Sequence, residues 1–114
     1  MKKIYRGERL NDKNGVNVKV NNLELEGNNF NWGQLCQGSY NLAYAILLDY
    51  FEGDEVRALK YCKAFQRKLI SIIPTDIWVL PDSGIKSEIE KIKNIKKKKL
   101  NSVTENGLVD SLVL

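Results

Sequence analysis

The chain has 114 residues, of which 43% are hydrophobic and 28% are charged, and its formal net charge at pH 7 is +4. A chain of this length can bury a core without metals or disulfides, and it is too short for two typical domains. Histidine is absent, which excludes Ser/His/Asp and Cys/His catalysis and removes the commonest metal ligand. We therefore expect a non-enzymatic protein without a cofactor or a metal.

Targeting and redox signals are also missing from the composition. No apolar run approaches the roughly 18 residues of a membrane helix, and charged residues follow the N-terminus where a signal peptide would be apolar. We expect a cytoplasmic protein with no membrane partner. Cys36 and Cys62 have no zinc-site spacing, and in the cytoplasm we expect two small buried hydrophobic residues rather than a disulfide.

The N-terminal third has the pattern of an antiparallel sheet. Residues 2–6 are predicted to form a short strand that Gly7 ends. Residues 16–20 alternate valine with polar residues at the period of a half-buried strand. The pair Asn21-Asn22 then predicts a turn, followed by a third strand over residues 23–26.

Two helices and a last strand follow. A helical period begins at Asn41, and Gly53 is predicted to end that helix. Asp54 is the predicted N-cap of a second helix, which ends at Pro74. Residues 77–80 form a short apolar run between two prolines and are predicted to return to the sheet as a strand. The apolar stripe of the second helix consists of Ala58, Cys62, Phe65, Leu69 and Ile72.

The charge changes sharply after residue 82. Residues 1–82 have a net charge of +1, whereas residues 83–100 have 7 lysines against 2 acids. Isoleucines spaced at helical intervals predict that residues 83–100 form a basic amphipathic helix, and residues 101–114 are expected to be a weakly ordered tail. The predicted fold is α+β, with three to four antiparallel strands packed on two helices within residues 1–82. The apolar stripe of the predicted third helix consists of Ile85, Ile89, Ile92 and Ile95.

A first candidate site precedes the first helix. Backbone amides at a helix N-terminus can bind a phosphate, and an aromatic ring beside them can stack on a base. Trp32, Gly33, Gly38 and Ser39 are therefore a candidate nucleotide site. The segment lacks the spacing of a Walker A loop or a dinucleotide fingerprint. The structural alternative is that Ser39 is an ordinary N-cap and Trp32 packs in the core.

Basic side chains of the second and third helices form a second candidate site. They can neutralise a nucleic-acid backbone or meet an acidic protein surface, and a purely solvated face is the alternative. The third helix's apolar stripe and the aliphatic end of the tail also allow a homodimer. The candidate partner-binding residues are Lys60, Lys63, Arg67, Lys91, Lys93, Lys96, Lys97, Lys98 and Lys99.

Several short motifs occur together in one order. They are Tyr5-Arg6-Gly7, Phe30-Asn31-Trp32-Gly33, Gly38-Ser39, Leu42 to Leu47, Ala58 to Tyr61, Phe65-Gln66-Arg67, Ile73-Pro74 and Trp78-Val79-Leu80. The set resembles a small family of unknown function found in bacteria and phages, over residues 3–80. The resemblance implies a compact α+β domain often carried on mobile elements, and it supplies no reaction and no catalytic residues. The lysine-rich extension after Pro81 departs from it.

These observations lead to three functional hypotheses. The first is a non-enzymatic binding protein of bacterial or phage origin that inhibits a host defence component, as CRISPR inhibitors do, with its basic helix against an acidic or nucleic-acid-binding groove. Its partner would be a host protein or a protein–nucleic-acid complex. The second is a nucleotide-ligand sponge that uses the helix start at Gly38 and Ser39. The third is a nucleic-acid-binding accessory protein, whose affinity would fall steeply with salt.

Overall fold

A computed structural model of the protein describes residues 2–10 and 15–106, with side chains up to residue 95. Its elements form an antiparallel sheet and a layer of helices, which confirms the predicted α+β class. In chain order they are β1 (Ile4–Arg9), β2 (Val16–Val20), β3 (Leu23–Glu24), α1 (Gln37–Tyr50), α2 (Glu55–Lys68), β4 (Ile77–Pro81) and α3 (Asp82–Asn106).

The sheet has the strand order β3-β2-β1-β4, and every neighbouring pair is antiparallel. Tyr5 lies opposite Val20 on one side and Leu80 on the other. Because side chains alternate between the two faces of a strand, this register places Tyr5 and its neighbours on the face that the helices cover. The returning strand β4 therefore completes the sheet beside β1, as the sequence pattern predicts.

Gly7 lies within β1, so the prediction that it ends the first strand is wrong. It is opposite Val18 in β2 and Trp78 in β4. A Cβ atom at this position would lie 2.2 Å from Cε2 of the Trp78 indole. The glycine is required because the indole ring occupies the space that a side chain would fill. It is a packing position inside the sheet rather than a chain terminator.

Strand β4 forms one edge of the sheet. Its hydrogen bonds to β1 are flanked by two further contacts: the Arg9 amide donates to the Asp76 carbonyl and the Asp82 amide to the Lys3 carbonyl, both at 2.9 Å. Antiparallel pairing alternates the direction of the backbone groups, so the nitrogen of Pro81 faces away from β1. A proline has no N–H to donate, and an outward position on an edge strand is where it can be accommodated.

The helix boundaries differ from the sequence pattern at two places. Helix α1 begins at Gln37 rather than near Asn41, whereas the predicted N-cap of α2 is confirmed, since Asp54 Oδ1 accepts from the Arg57 amide at 3.2 Å. Helix α2 ends at Lys68 rather than at Pro74 because residues 70–72 form a 3₁₀ turn. That turn buries Ile70 and leaves Ile72, which was predicted to belong to the apolar stripe, 65% exposed.

The helical layer includes the first half of α3. Three isoleucines of the predicted stripe are buried in the same core as the residues of α1 and α2, while Ile95 is 42% exposed. The predicted division at residue 82 stays a prediction. Lys96 to Lys99 lie outside the described side chains, and the part of the predicted tail beyond Asn106 lies outside the described residues. The buried members of the stripe are Ile85, Ile89 and Ile92.

Candidate functional site

Trp32 is enclosed by the fold. Its side chain is 1% exposed, and its indole Nε1 donates to the Thr75 carbonyl at 2.9 Å. The ring meets Trp78 edge to face at 5.6 Å between centroids, and the Arg9 guanidinium lies 4.5 Å from the ring centroid. Because these neighbours cover the ring, the geometry does not support the predicted stacking of Trp32 on a base.

Ser39 is also buried, at the third position of α1, whereas the N-cap is Cys36. The Ser39 hydroxyl accepts from the Cys36 amide at 3.1 Å and from Gln66 Nε2 at 2.8 Å, and it donates to the Cys36 carbonyl at 2.9 Å. The Gly38 carbonyl accepts from the Asn31 amide, and the Gly33 amide donates to the Ile70 carbonyl. These residues hold the loop against the helical layer, so the geometry favours a structural role over a nucleotide site. The N-cap role expected for Ser39 in the structural alternative is wrong, because Cys36 is the N-cap and Ser39 is the third residue of α1.

The two cysteines have opposite environments. Both are free thiols; Cys62 is buried, and Cys36 is half-buried at the start of α1. Burial raises the pKa of Cys62 to about 11. Burial also opposes ionisation of Cys36, but hydrogen bonds from the backbone and side chain of Ser39 outweigh it and lower the pKa of the Cys36 thiol. The prediction of two buried cysteines therefore holds for Cys62 alone.

This difference predicts selective alkylation. Because the thiolate is the nucleophile, iodoacetamide at pH 8 should modify Cys36 more than about 100-fold faster than Cys62. Peptide mass spectrometry over a time course measures both rates, and Cys36→Ser provides the control in which fast labelling disappears. Equal rates in the folded protein would contradict the assigned environments.

The exposed side of α2 combines cations with aliphatic side chains. Spacings of three, four and seven residues place its members on one helical face. Val56 and Leu59 are 77% and 55% exposed and lie among the charged residues of this face. Within the side chains that the structure describes, no ion pair joins a cation of this face to a carboxylate. We define the α2 outer face as Val56, Leu59, Lys60, Lys63 and Arg67, all exposed.

Lys91 and Lys93, the two predicted lysines of α3 whose side chains the structure describes, do not share one surface. Lys91 and Lys93 are both exposed, but two helical steps rotate side chains by about 200°. Lys93 pairs with Glu90 at 3.9 Å and lines a groove between the three helices with Arg57 and Tyr50. Lys91 is directed to the other side of the helix. The structure therefore brings together Lys60, Lys63 and Arg67 of α2 but separates Lys91 from Lys93 on α3.

An acidic groove, which the sequence patterns did not indicate, lies between the β2–β3 hairpin and the C-terminal half of α1. It has a volume of about 610 Å³. Leu23 and Leu48 form an apolar wall of the groove, and Leu23 is 72% exposed. Four carboxylates and one lysine contribute its charge. We define the acidic groove by these five charged residues, Lys3, Glu24, Glu26, Asp49 and Glu52, with the apolar wall between them.

One carboxylate of the acidic groove is already satisfied. Asp49 Oδ2 accepts from the Tyr5 hydroxyl at 2.6 Å and from Lys3 Nζ at 3.1 Å. Burial and this hydrogen bond raise the pKa of Tyr5 well above its usual value. Among the described side chains, no ion pair neutralises Glu26 or Glu52. The groove therefore keeps a net negative charge beside an apolar wall.

The described residues contain no cluster of three or more His, Cys, Asp or Glu side chains that could hold a metal ion. In the same part of the chain, none of the helices combines the length and the apolar character needed to cross a bilayer.

Comparison with known proteins gives one family. No curated protein and no solved structure matches the chain. A family model matches residues 2–91, which extends the likeness into α3, beyond residue 80 where the resemblance was expected to end. The match covers the whole sheet, α1, α2 and the first turns of α3. The chain therefore belongs to DUF6166, a family of unknown function.

Proposed function

We propose that this protein is a non-enzymatic binding protein that uses the α2 outer face to bind an acidic partner protein. The observation that carries the proposal is that this face combines cations that form no ion pair among the described side chains with Val56 and Leu59, which are 77% and 55% exposed. Aliphatic side chains on a charged surface supply the apolar contact that a protein interface buries. The cations supply orientation and a fast encounter with an acidic surface.

The aliphatic residues favour a protein over a nucleic acid as the partner. Binding to a nucleic-acid backbone depends on phosphate neutralisation by lysine and arginine and does not need an exposed leucine. Leu59 lies one turn before Lys63 on the α2 outer face, so a partner that contacts the lysine also contacts the leucine. The nucleic-acid hypothesis thus becomes an outcome of the test below.

The test compares charge and apolar variants of the same face. The protein is used to capture partners from a bacterial lysate with and without nuclease treatment, and the affinity of each purified partner is measured by calorimetry. Lys60→Glu with Lys63→Glu should weaken binding more than about 10-fold, and Leu59→Ser should weaken it about 10-fold. The matched control is Lys2→Glu with Arg6→Glu, which changes the net charge equally at exposed sites away from this face and should bind normally.

Each alternative gives a different result. If binding survives Leu59→Ser, disappears with nuclease and falls steeply with salt, the partner is a nucleic acid and the proposal is wrong. If the control weakens binding as much as the α2 variant, only net charge matters and the α2 outer face is not the interface.

The narrower proposal is that the partner belongs to a bacterial defence system, with the protein acting as an inhibitor of bacterial or phage origin. Its small size and the mixture of charged and aliphatic residues on the α2 outer face suit inhibition by occupation, a similarity of design rather than of sequence. Expression in a bacterium with active CRISPR immunity should restore plaque formation by a targeted phage. Plaque formation restored equally by wild type and by Lys60→Glu with Lys63→Glu would contradict a role for this face.

A further inference from the structure

We propose that the acidic groove binds the α2 outer face of a second copy of this chain, so that the protein associates with itself. This inference goes beyond the proposed function and shares with it only the use of the α2 outer face. The two surfaces have opposite charge on one molecule, and each places aliphatic side chains beside its charges. Each copy therefore carries both halves of a complementary contact.

The groove has the character needed for a basic helix. Glu26 and Glu52 are exposed carboxylates without an ion pair among the described side chains. Glu26 follows β3 and Glu52 follows α1. Both line the same groove as Leu23 and Leu48. An exposed leucine between uncompensated carboxylates offers apolar contact and charge to one occupant at the same time.

The α2 outer face is complementary to this groove in charge, and it belongs to a helix, which a groove can hold. Val56 and Leu59 can pack against Leu23 and Leu48, while Lys60 and Lys63 face the carboxylates. A helix in an apolar groove, anchored by side chains three and four residues apart, is a recurring mode of recognition. The 14 residues of α2 give about 21 Å of helix for the contact.

The size of the contact predicts a weak and salt-dependent association. A single helix face in a groove buries less than the roughly 1,000 Å² expected of a stable interface. A twofold dimer that makes the contact twice doubles the area and closes the assembly. Because exposed charges contribute to the self-association, we expect the dimer to form at low ionic strength and high protein concentration and to dissociate at high salt.

The experiment is sedimentation velocity of the full chain from about 10 to about 300 µM, in about 20 mM and about 500 mM NaCl. The wild type should approach twice the monomer mass at low salt and be a monomer at high salt. A groove variant, Glu26→Lys with Glu52→Lys, and a face variant, Lys60→Glu with Lys63→Glu, should each be monomers at both salt concentrations. Glu24 is left unchanged because Lys19 lies opposite it in the sheet.

Mixing the two variants provides the decisive result. In the mixture, the now basic groove of the groove variant can bind the now acidic α2 outer face of the face variant. The unchanged acidic groove of the face variant can also bind the unchanged α2 outer face of the groove variant, so a one-to-one complex should form. Glu8→Lys with Glu90→Lys changes the net charge as the groove variant does, at exposed sites outside the acidic groove, and should still associate. Circular dichroism confirms that each variant is folded.

Three outcomes would overturn the inference: a wild type that is monomeric throughout, a groove variant that still associates, or a mixture that remains monomeric. The groove variant keeps the α2 outer face intact. Its binding to a foreign partner therefore reports on the proposed function separately from self-association.

Discussion

Replacing Gly7 with alanine is expected to lower the free energy of unfolding by about 3 kcal/mol, which corresponds to a fall of roughly 15 °C in Tm. The added Cβ would lie within 2.4 Å of three atoms of the Trp78 indole. Trp78 is 8% exposed and packed edge to face on Trp32, so neither ring has free space to move into. Urea denaturation followed by circular dichroism measures the loss.

Gly84→Ala provides the matched control for Gly7→Ala. Gly84 lies in the first turn of α3, where an added Cβ would meet the Cδ1 of the half-buried Leu80 at 3.1 Å and the Cδ of Pro81 at 3.9 Å. Alanine also favours a helix over glycine by up to about 1 kcal/mol, so we expect little net change. A double-mutant cycle of Gly7→Ala with Trp78→Phe should recover at least about 1 kcal/mol. An additive cycle would show that the indole is not the source of the loss.

Replacing Trp32 with alanine is expected to cost about 4 kcal/mol, a large share of the stability of a domain of this size. The substitution empties a site enclosed by Trp78 and Arg9 and leaves the Thr75 carbonyl without its indole donor. The free energy of unfolding from urea denaturation tests this expectation.

Trp32→Phe separates the ring from its hydrogen bond. Phenylalanine keeps most of the apolar contact and removes the Nε1 donor, so we expect a smaller loss of about 1 to 2 kcal/mol. The same variants test the nucleotide hypothesis by calorimetry with nucleotides. A Trp32→Ala protein with unchanged stability and lost nucleotide binding would contradict the structural role.

Local patterns predicted the elements whose residues act mainly through periodicity. The alternating valines of β2, the Asp54 cap of α2 and the apolar run of β4 all occur as expected. Gly7 was predicted to end β1 because glycine most often interrupts a strand. In the structure Gly7 instead leaves space for the indole ring of Trp78 in β4, 71 residues later in the chain. The early start of α1 was missed because its N-cap is Cys36, a residue type that seldom has that role.

The candidate sites were harder to predict because most depend on tertiary packing. The exposure of Lys60, Lys63 and Arg67 followed from the helical period of α2. The helical period of α3 likewise predicts that Lys91 and Lys93 point in different directions, because residues two apart on a helix lie on different sides. The acidic groove has no such signal. Glu26 and Glu52 come together only through the packing of α1 beside the β2–β3 hairpin.

The position of β1 between β2 and β4 has a consequence for how the chain is made. The partner on one side, β2, is synthesised immediately after β1, whereas Trp78 must be translated before it can pair opposite Gly7. Such non-local pairing delays folding. A nascent chain can form the β1–β2 hairpin early, but β1 stays an open edge until the ribosome has released residues up to 81. Completion of the sheet therefore follows the synthesis of both α1 and α2.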